Sequence, residues 1–101
     1  IIDEIALPVN NILTENYPNP FNLKTTIKYS LPGSMKVDLK IYDISGREIV
    51  TLIDGIQSPG EHTVEWNGTN SAGQQVASGI YLYQLKTNNG FVITRKLILL
   101  K

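Results

Sequence analysis

The sequence predicts an all-β, immunoglobulin-like antiparallel β-sandwich of about seven strands. Three observations predict it. Apolar and polar residues alternate with period two over run after run. Turn signals separate those runs at intervals of about 8 to 12 residues, the spacing of a sandwich. No stretch carries the helical period of an amphipathic helix. The 101 residues fit one domain of ordinary size, and 42 % hydrophobic residues suffice to build its core.

Residues 1–15, IIDEIALPVNNILTE, mix apolar and acidic residues without a clean period, and Pro8 interrupts any helix across them. They read as a linker to an upstream domain, with a short first strand around Asn11 to Thr14. The chain opens at Ile1 without methionine, which reads as a piece cut from a larger protein. No basic segment precedes an apolar stretch, so no signal peptide is expected in it. The domain proper, 16–101, starts with Asn16-Tyr17-Pro18-Asn19-Pro20-Phe21-Asn22. Each proline fixes its own φ near about −65° and pushes the residue before it towards extended geometry. Asn19 and Asn22 can cap nearby backbone donors, and Tyr17 and Phe21 offer rings to anchor the segment on a core.

Strand patterns then follow in order. Ile27, Tyr29 and Leu31 alternate with Thr26, Lys28 and Ser30, and Pro32-Gly33 makes a turn. Val37, Leu39 and Ile41 alternate with Lys36, Asp38 and Lys40, giving the one wet face of an antiparallel sheet. Tyr42-Asp43-Ile44-Ser45-Gly46-Arg47-Glu48 is a hairpin turn, with Gly46 able to take positive φ and Asp43 able to accept backbone N–H bonds. Glu48 to Ile53 is the next strand. Asp54-Gly55 and Ser58-Pro59-Gly60 bracket a loop. Glu61 to Trp66 alternates again, with His62, Val64 and Trp66 in phase. A polar loop over Asn67 to Gln75 leads to Gly79–Lys86, where Tyr81, Tyr83 and Leu85 share a face. Asn88-Asn89-Gly90 is a hairpin turn, and Phe91 to Leu100 is the last strand. Trp66 and the tyrosines are the large core fillers, each burying about 150–250 Å².

Composition and motifs remove most chemistry. Nine basic and nine acidic side chains give net charge zero, without the basic footprint of a nucleic-acid or anionic-membrane binder. No apolar run approaches the length of a membrane span. With no cysteine there is no disulfide, no thiolate metal site and no Cys–Trp–Cys pattern of an antibody domain, and the compartment is left open. His62 is the one histidine, so a serine triad would depend wholly on it; its phase with Val64 and Trp66 marks a packed or edge side chain. The loop over Asn67 to Gln75 has no carboxylate, whereas calcium sites need several oxygen ligands, some charged; it reads as a loop held by Asx turns. Asn67-Gly68-Thr69 matches the N-glycosylation pattern, a motif short enough to arise by chance. The acids are scattered, without a facing pair for glycoside hydrolysis. Tyr29, Tyr42, Tyr81 and Tyr83 are the one aromatic set a carbohydrate-binding face could use, yet three of them share faces with core-type residues. The residues point to no catalytic, metal or cofactor site.

Five landmarks fall in one order: Asn16-Tyr17-Pro18-Asn19-Pro20-Phe21-Asn22, Tyr42 to Glu48, Gly60-Glu61-His62 with Trp66-Asn67-Gly68, Ala77 to Tyr83, and Arg95 to Lys101. Together they resemble the type A C-terminal sorting domain of proteins exported by the bacterial type IX secretion system. The same pattern is similar to the immunoglobulin-like domain of the flagellar hook-capping protein. The resemblance covers about residues 13–101. It implies a non-catalytic address label that directs an upstream cargo through the outer-membrane translocon, with partners in that translocon and in a sortase that cuts the linker. It places the domain in the periplasm in transit and then at the cell surface or outside. Carried over, Pro18, Asn19 and Pro20 fix the lead-in to the domain and act as a rigid spacer between linker and label. Asp43, Gly46, Arg47, Trp66, Gly79 and Tyr81 are structural. Lys96, Leu97, Ile98, Leu99, Leu100 and Lys101 carry translocon recognition. Two readings of how stand beside this: backbone groups left unpaired at a sheet edge that pair with a receptor strand, or a plain core strand with a charged end. Leu23 stands where the family often has proline, and Asn67 and Asn70 where relatives often have aspartate, which lowers any expectation of calcium. An assembly module of the hook-capping kind and a carbohydrate-binding accessory module are the alternatives.

Overall fold

A computed structural model describes residues 14–101. Seven strands make two antiparallel sheets: β1 (Thr14–Tyr17), β2 (Thr25–Leu31) and β5 (Gly60–Trp66) in one, in the order β1-β2-β5, and β3 (Met35–Asp43), β4 (Glu48–Gln57), β6 (Gly79–Thr87) and β7 (Val92–Leu99) in the other, in the order β4-β3-β6-β7. The expected immunoglobulin-like sandwich is the observed architecture. The fourth strand lies beside β3; in a constant-type immunoglobulin domain it would join the first sheet. The tight turn over 43–47 forces this, since it returns the chain directly along β3.

Period two puts the core together. Ile27, Tyr29, Val37, Leu39, Ile41, Tyr83, Leu85 and Leu97 are essentially without solvent exposure, and they pack with Phe21, Trp66, Tyr81 and Leu99 into one cluster. The buried tyrosines need hydroxyl partners. Tyr83 Oη accepts from Thr14 Oγ1 at 2.9 Å, and Tyr29 Oη donates to Gln57 Oε1 at 3.2 Å. Burial pushes both phenols above their ordinary pKa. His62 stacks on Tyr29 with ring centroids 5.2 Å apart, and its Nε2–H donates to the Ser58 carbonyl at 2.7 Å, the packed edge position its phase suggested.

Three local expectations are corrected. β4 does not stop at Ile53; it runs through Asp54-Gly55 to Gln57, with Gly55 opposite Val37. Leu52 and Ile49 are extra residues in its register against β3, so the strand is bulged twice, and Ile49, Val50, Leu52 and Ile53 are all half-buried where strict alternation would turn two of them out. Continuous pairing with β3 outweighs the turn character of Asp-Gly. Tyr17 anchors nothing: it is 80 % exposed, while Phe21 is 3 % exposed. β1, described as Thr14–Tyr17, takes in Thr14 and Glu15, the end of the expected linker; residues 1–13, with the rest of that linker and the start of the expected first strand, lie outside the described residues.

Ile41→Ala, at a fully enclosed site, is expected to cost about 2–5 kcal/mol in urea unfolding, whereas Val92→Ala, at a half-exposed site, should stay within about 0.5 kcal/mol. Similar costs for the two would contradict the assigned facing of β3 and β7.

Candidate functional site

The sequence landmarks converge on one end of the sandwich. Tyr17 ends β1 opposite Thr26, and Thr25 faces Trp66 at the end of β5. Gly79 faces Leu99, and Asp43 faces Tyr81. Aromatic rings join the two sheets there: Trp66 lies 5.6 Å from Phe21 and 5.3 Å, edge-on, from Tyr81. Trp66 Nε1–H donates to the Thr69 carbonyl at 2.8 Å, and Tyr81 Oη donates to the Ala77 carbonyl at 2.6 Å. The latter is a tyrosine corner at the start of the sixth strand, as in immunoglobulin sandwiches. Burial first, and the Asp43 charge second, raise the Tyr81 pKa.

The proline motif and the terminal strand form a single clasp. After Tyr17 the chain leaves the first sheet, with both X–Pro peptide bonds cis, and crosses to the second. Phe21 pairs in parallel with Leu99: its N–H donates to the Ile98 carbonyl at 2.9 Å, and its carbonyl accepts from Leu100 N–H at 2.8 Å. Asn19 continues the ladder with its side chain, Nδ2 donating to the Lys96 carbonyl at 3.2 Å and Oδ1 accepting from Ile98 N–H at 3.0 Å. A carboxamide offers a donor and an acceptor side by side, so Asn19 takes the place of one strand residue. Buried Thr25 holds the turn, its Oγ1 donating to the Pro18 carbonyl at 2.8 Å.

This corrects two expectations. The prolines are no spacer holding linker and domain apart; they turn the chain onto the last strand. The outer edge of that strand is not unpaired from the Lys96 carbonyl to the Leu100 N–H, because Asn19 and Phe21 occupy it. Leu97 and Leu99 are core residues, and Ile98 is half-buried. Lys96, Leu100 and Lys101 remain exposed, and Lys101 N–H donates to Ser78 Oγ at 3.0 Å. A surface groove of about 470 Å³ runs between Pro18, Pro20, Phe21 and Asn22 on one side and Leu100 and Lys101 on the other.

The remaining landmark residues shape the same end. Asp43 Oδ1 accepts from Ser45 N–H, Ser45 Oγ and Arg47 N–H at 3.0, 2.6 and 2.9 Å, while Gly46 takes φ +91°. The Ser45 hydroxyl bond above all, then the backbone bond from Arg47, hold the Asp43 carboxyl below the usual range. The Arg47 guanidinium, 3.4 Å from Asp43 Oδ2, is largely in solvent and adds little. In the polar loop Asn70 Oδ1 accepts from Ala72 and Gln74 N–H, both at 3.0 Å, the expected Asx turn. Ser71 N–H donates at 3.0 Å to the carbonyl of bulged Ile49. Gly68, at φ +76°, lies against the last strand: a Cβ there would meet Leu99 Cδ2 at 3.3 Å. A second groove, of about 450 Å³, lies between the Asp43 turn and the Asn70 loop. Asn19 was legible as a backbone cap, but its partners, 77 and 79 residues away, leave no local trace. No group of three or more metal-ligating side chains occurs among the described residues. Of the tyrosines considered for a glycan-binding face, Tyr29, Tyr81 and Tyr83 are buried.

The model of the FlgD Ig-like domain family matches residues 22–90. The chain belongs to that family. Both halves of the clasp, Asn19–Phe21 and Lys96–Leu100, fall outside the matched span. Among solved structures, the chain is similar to dimeric latent PorU from Porphyromonas gingivalis (TM-score 0.71, 22 % identity, 86 % of this chain and 9 % of that one). It is similar to PorZ, an essential surface component of the type-IX secretion system of the same organism (TM-score 0.60, 19 % identity, 95 % and 12 %). It also resembles FlgD from P. aeruginosa (TM-score 0.60, 24 % identity, 74 % and 61 %). These likenesses establish the fold, and the chain spans less than two thirds of each of those proteins. No curated protein matches the sequence.

Asn19→Ala is expected to cost about 0.5–1.5 kcal/mol and to speed hydrogen exchange at the Ile98 amide, while the Leu97 amide, on the β6 side, changes only with global stability. Asp43, with its folded pKa depressed, stabilises the fold above its unfolded pKa of about 3.9, and this contribution disappears as pH falls through the lower folded value. A thermal melting series from neutral to acid pH should therefore show a shallower acid limb for Asp43→Asn than for the parent.

Proposed function

We propose that this domain is a non-catalytic sorting label of the type IX secretion kind, recognised at the clasped end of the sandwich and joined through residues 1–13 to an upstream cargo. The observation that carries this reading is the clasp itself. It ties the proline motif to the terminal segment, the two landmarks that flank the family-matched span, and leaves the side chain of Lys96 exposed and those of Leu100 and Lys101 exposed along a groove. The ordered landmarks support the assignment, as does the likeness of fold to PorZ, itself a type IX component. Recognition then rests on side chains, since the adjoining backbone is occupied by Asn19 and Phe21. Translocon and sortase partners, and passage through the periplasm to the cell surface, follow from the same reading. Membership of the FlgD Ig-like family supports a second reading, an assembly module that binds protein subunits.

A reporter fused ahead of residues 1–101 in a type IX-competent host separates the two. Deleting Lys96 to Lys101 is a poor test, because it removes Leu97 and Leu99 from the core. The variant Lys96→Glu/Leu100→Asp/Lys101→Glu alters exposed positions alone and is expected to leave the reporter in the periplasm while the purified domain keeps its melting temperature within a few degrees. Undiminished surface delivery by that folded variant would sink the sorting assignment and favour assembly.

A further inference from the structure

We propose that the other half of β7, Val92 to Lys96, is a docking edge for an acidic, extended segment of a partner protein. Thr87 N–H donates to the Phe91 carbonyl at 2.9 Å, so alternate residues from Phe91 onward direct their backbone groups at β6 and the residues between them point outward. The clasp uses the outward groups of Ile98, the Lys96 carbonyl and the Leu100 N–H. Those of Val92 and Thr94, and the Lys96 N–H, have no partner among the described residues. The edge is thus half filled by a parallel segment of the chain itself, and the vacant positions continue the same ladder.

Charge identifies the occupant. Among the described residues Lys24, Lys28, Lys36, Lys40 and Arg47 each lie within 4.0 Å of a carboxylate. Lys86, Arg95 and Lys96 have no such partner among the described residues and lie on or beside this edge, Lys86 directly opposite Val92, whereas Lys101 lies at the clasped end. Every described acid except Glu15 is already engaged in those pairs. Lys86 and Lys96 on the outer face and Arg95 on the other therefore flank an open ladder with no described carboxylate in ion-pair contact, and Val92 is half-exposed for apolar contact. Lysines on an edge repel a second copy of the same strand. They attract an acidic one, whose backbone fills the ladder and whose carboxylates meet these cations.

This inference concerns binding alone and holds whether or not the domain sorts cargo. The probe is a synthetic peptide of alternating glutamate and valine, added to the full 101-residue chain, with a lysine–valine peptide as control. The acidic peptide is expected to slow exchange of the Thr94 and Lys96 amides by roughly tenfold or more at saturation, with affinity falling as salt is raised. Lys86→Glu should weaken this. Thr94→Pro, which removes an outward N–H without touching the β6 ladder, should abolish it in a domain that still melts cooperatively. Unchanged Thr94 and Lys96 amides, or equal binding of the lysine peptide, overturns the proposal. So does protection of these amides in the free chain that is lost on deleting residues 1–12, which assigns the edge to the chain's own N-terminal segment.

Discussion

The closure of one strand edge by Asn19 and Phe21 is the interaction on which the organisation of this domain turns. A strand at the rim of a sheet exposes a row of backbone donors and acceptors. β7 is such a strand, and its last half is satisfied by a segment arriving from the other sheet. Phe21 serves twice: its backbone completes the ladder, and its ring drops into the core beside Trp66. Trp66 in turn touches Tyr81, whose hydroxyl secures the segment before β6. The same constraint is met at the opposite rim, where the carbonyl freed by the bulge at Ile49 takes the Ser71 N–H. Both rims of the larger sheet are thus closed at one end of the molecule.

That end differs in kind from the other. At the far end the strands join through short turns over 32–34, 58–59 and 88–91, each serving its own hairpin or crossover. At the near end the loops contact one another across the sheets and enclose two grooves. Residues that look like a hydrophobic signal in the sequence, Leu97 and Leu99, are committed to the core. A partner meeting the folded domain finds Lys96, Leu100 and Lys101, so a requirement for the apolar terminus in any assay mixes folding with recognition unless the two are separated by site.

The two halves of β7 differ in what their outer edge presents. Towards its end, the edge is closed by the chain, and the side chains of Lys96 and Leu100 are left exposed. Towards its start, among the described residues, the edge is open and flanked by cations that have no carboxylate partner. Net neutrality of the whole chain conceals this segregation, because carboxylates pair with Lys24, Lys28, Lys36, Lys40 and Arg47, while no described carboxylate pairs with Lys86, Arg95 or Lys96.

By itself the sequence determined the fold class, the inward faces of β2, β3 and β6, and the turns at Gly46 and Asn88 to Gly90. Those features depend on neighbours one to four residues apart, and alternation or a glycine at a turn records them directly. The Asx turn at Asn70 was legible for the same reason. Only the tertiary structure decided that β4 continues through Asp54-Gly55, since its pairing with β3 outweighs a local turn signal. Only the tertiary structure turned Tyr17 outward and Phe21 inward, and set Asn19 against Lys96 and Ile98. Contacts across more than seventy residues depend on how the two sheets meet, and a hydrogen bond between such distant residues imposes no period on the chain between them.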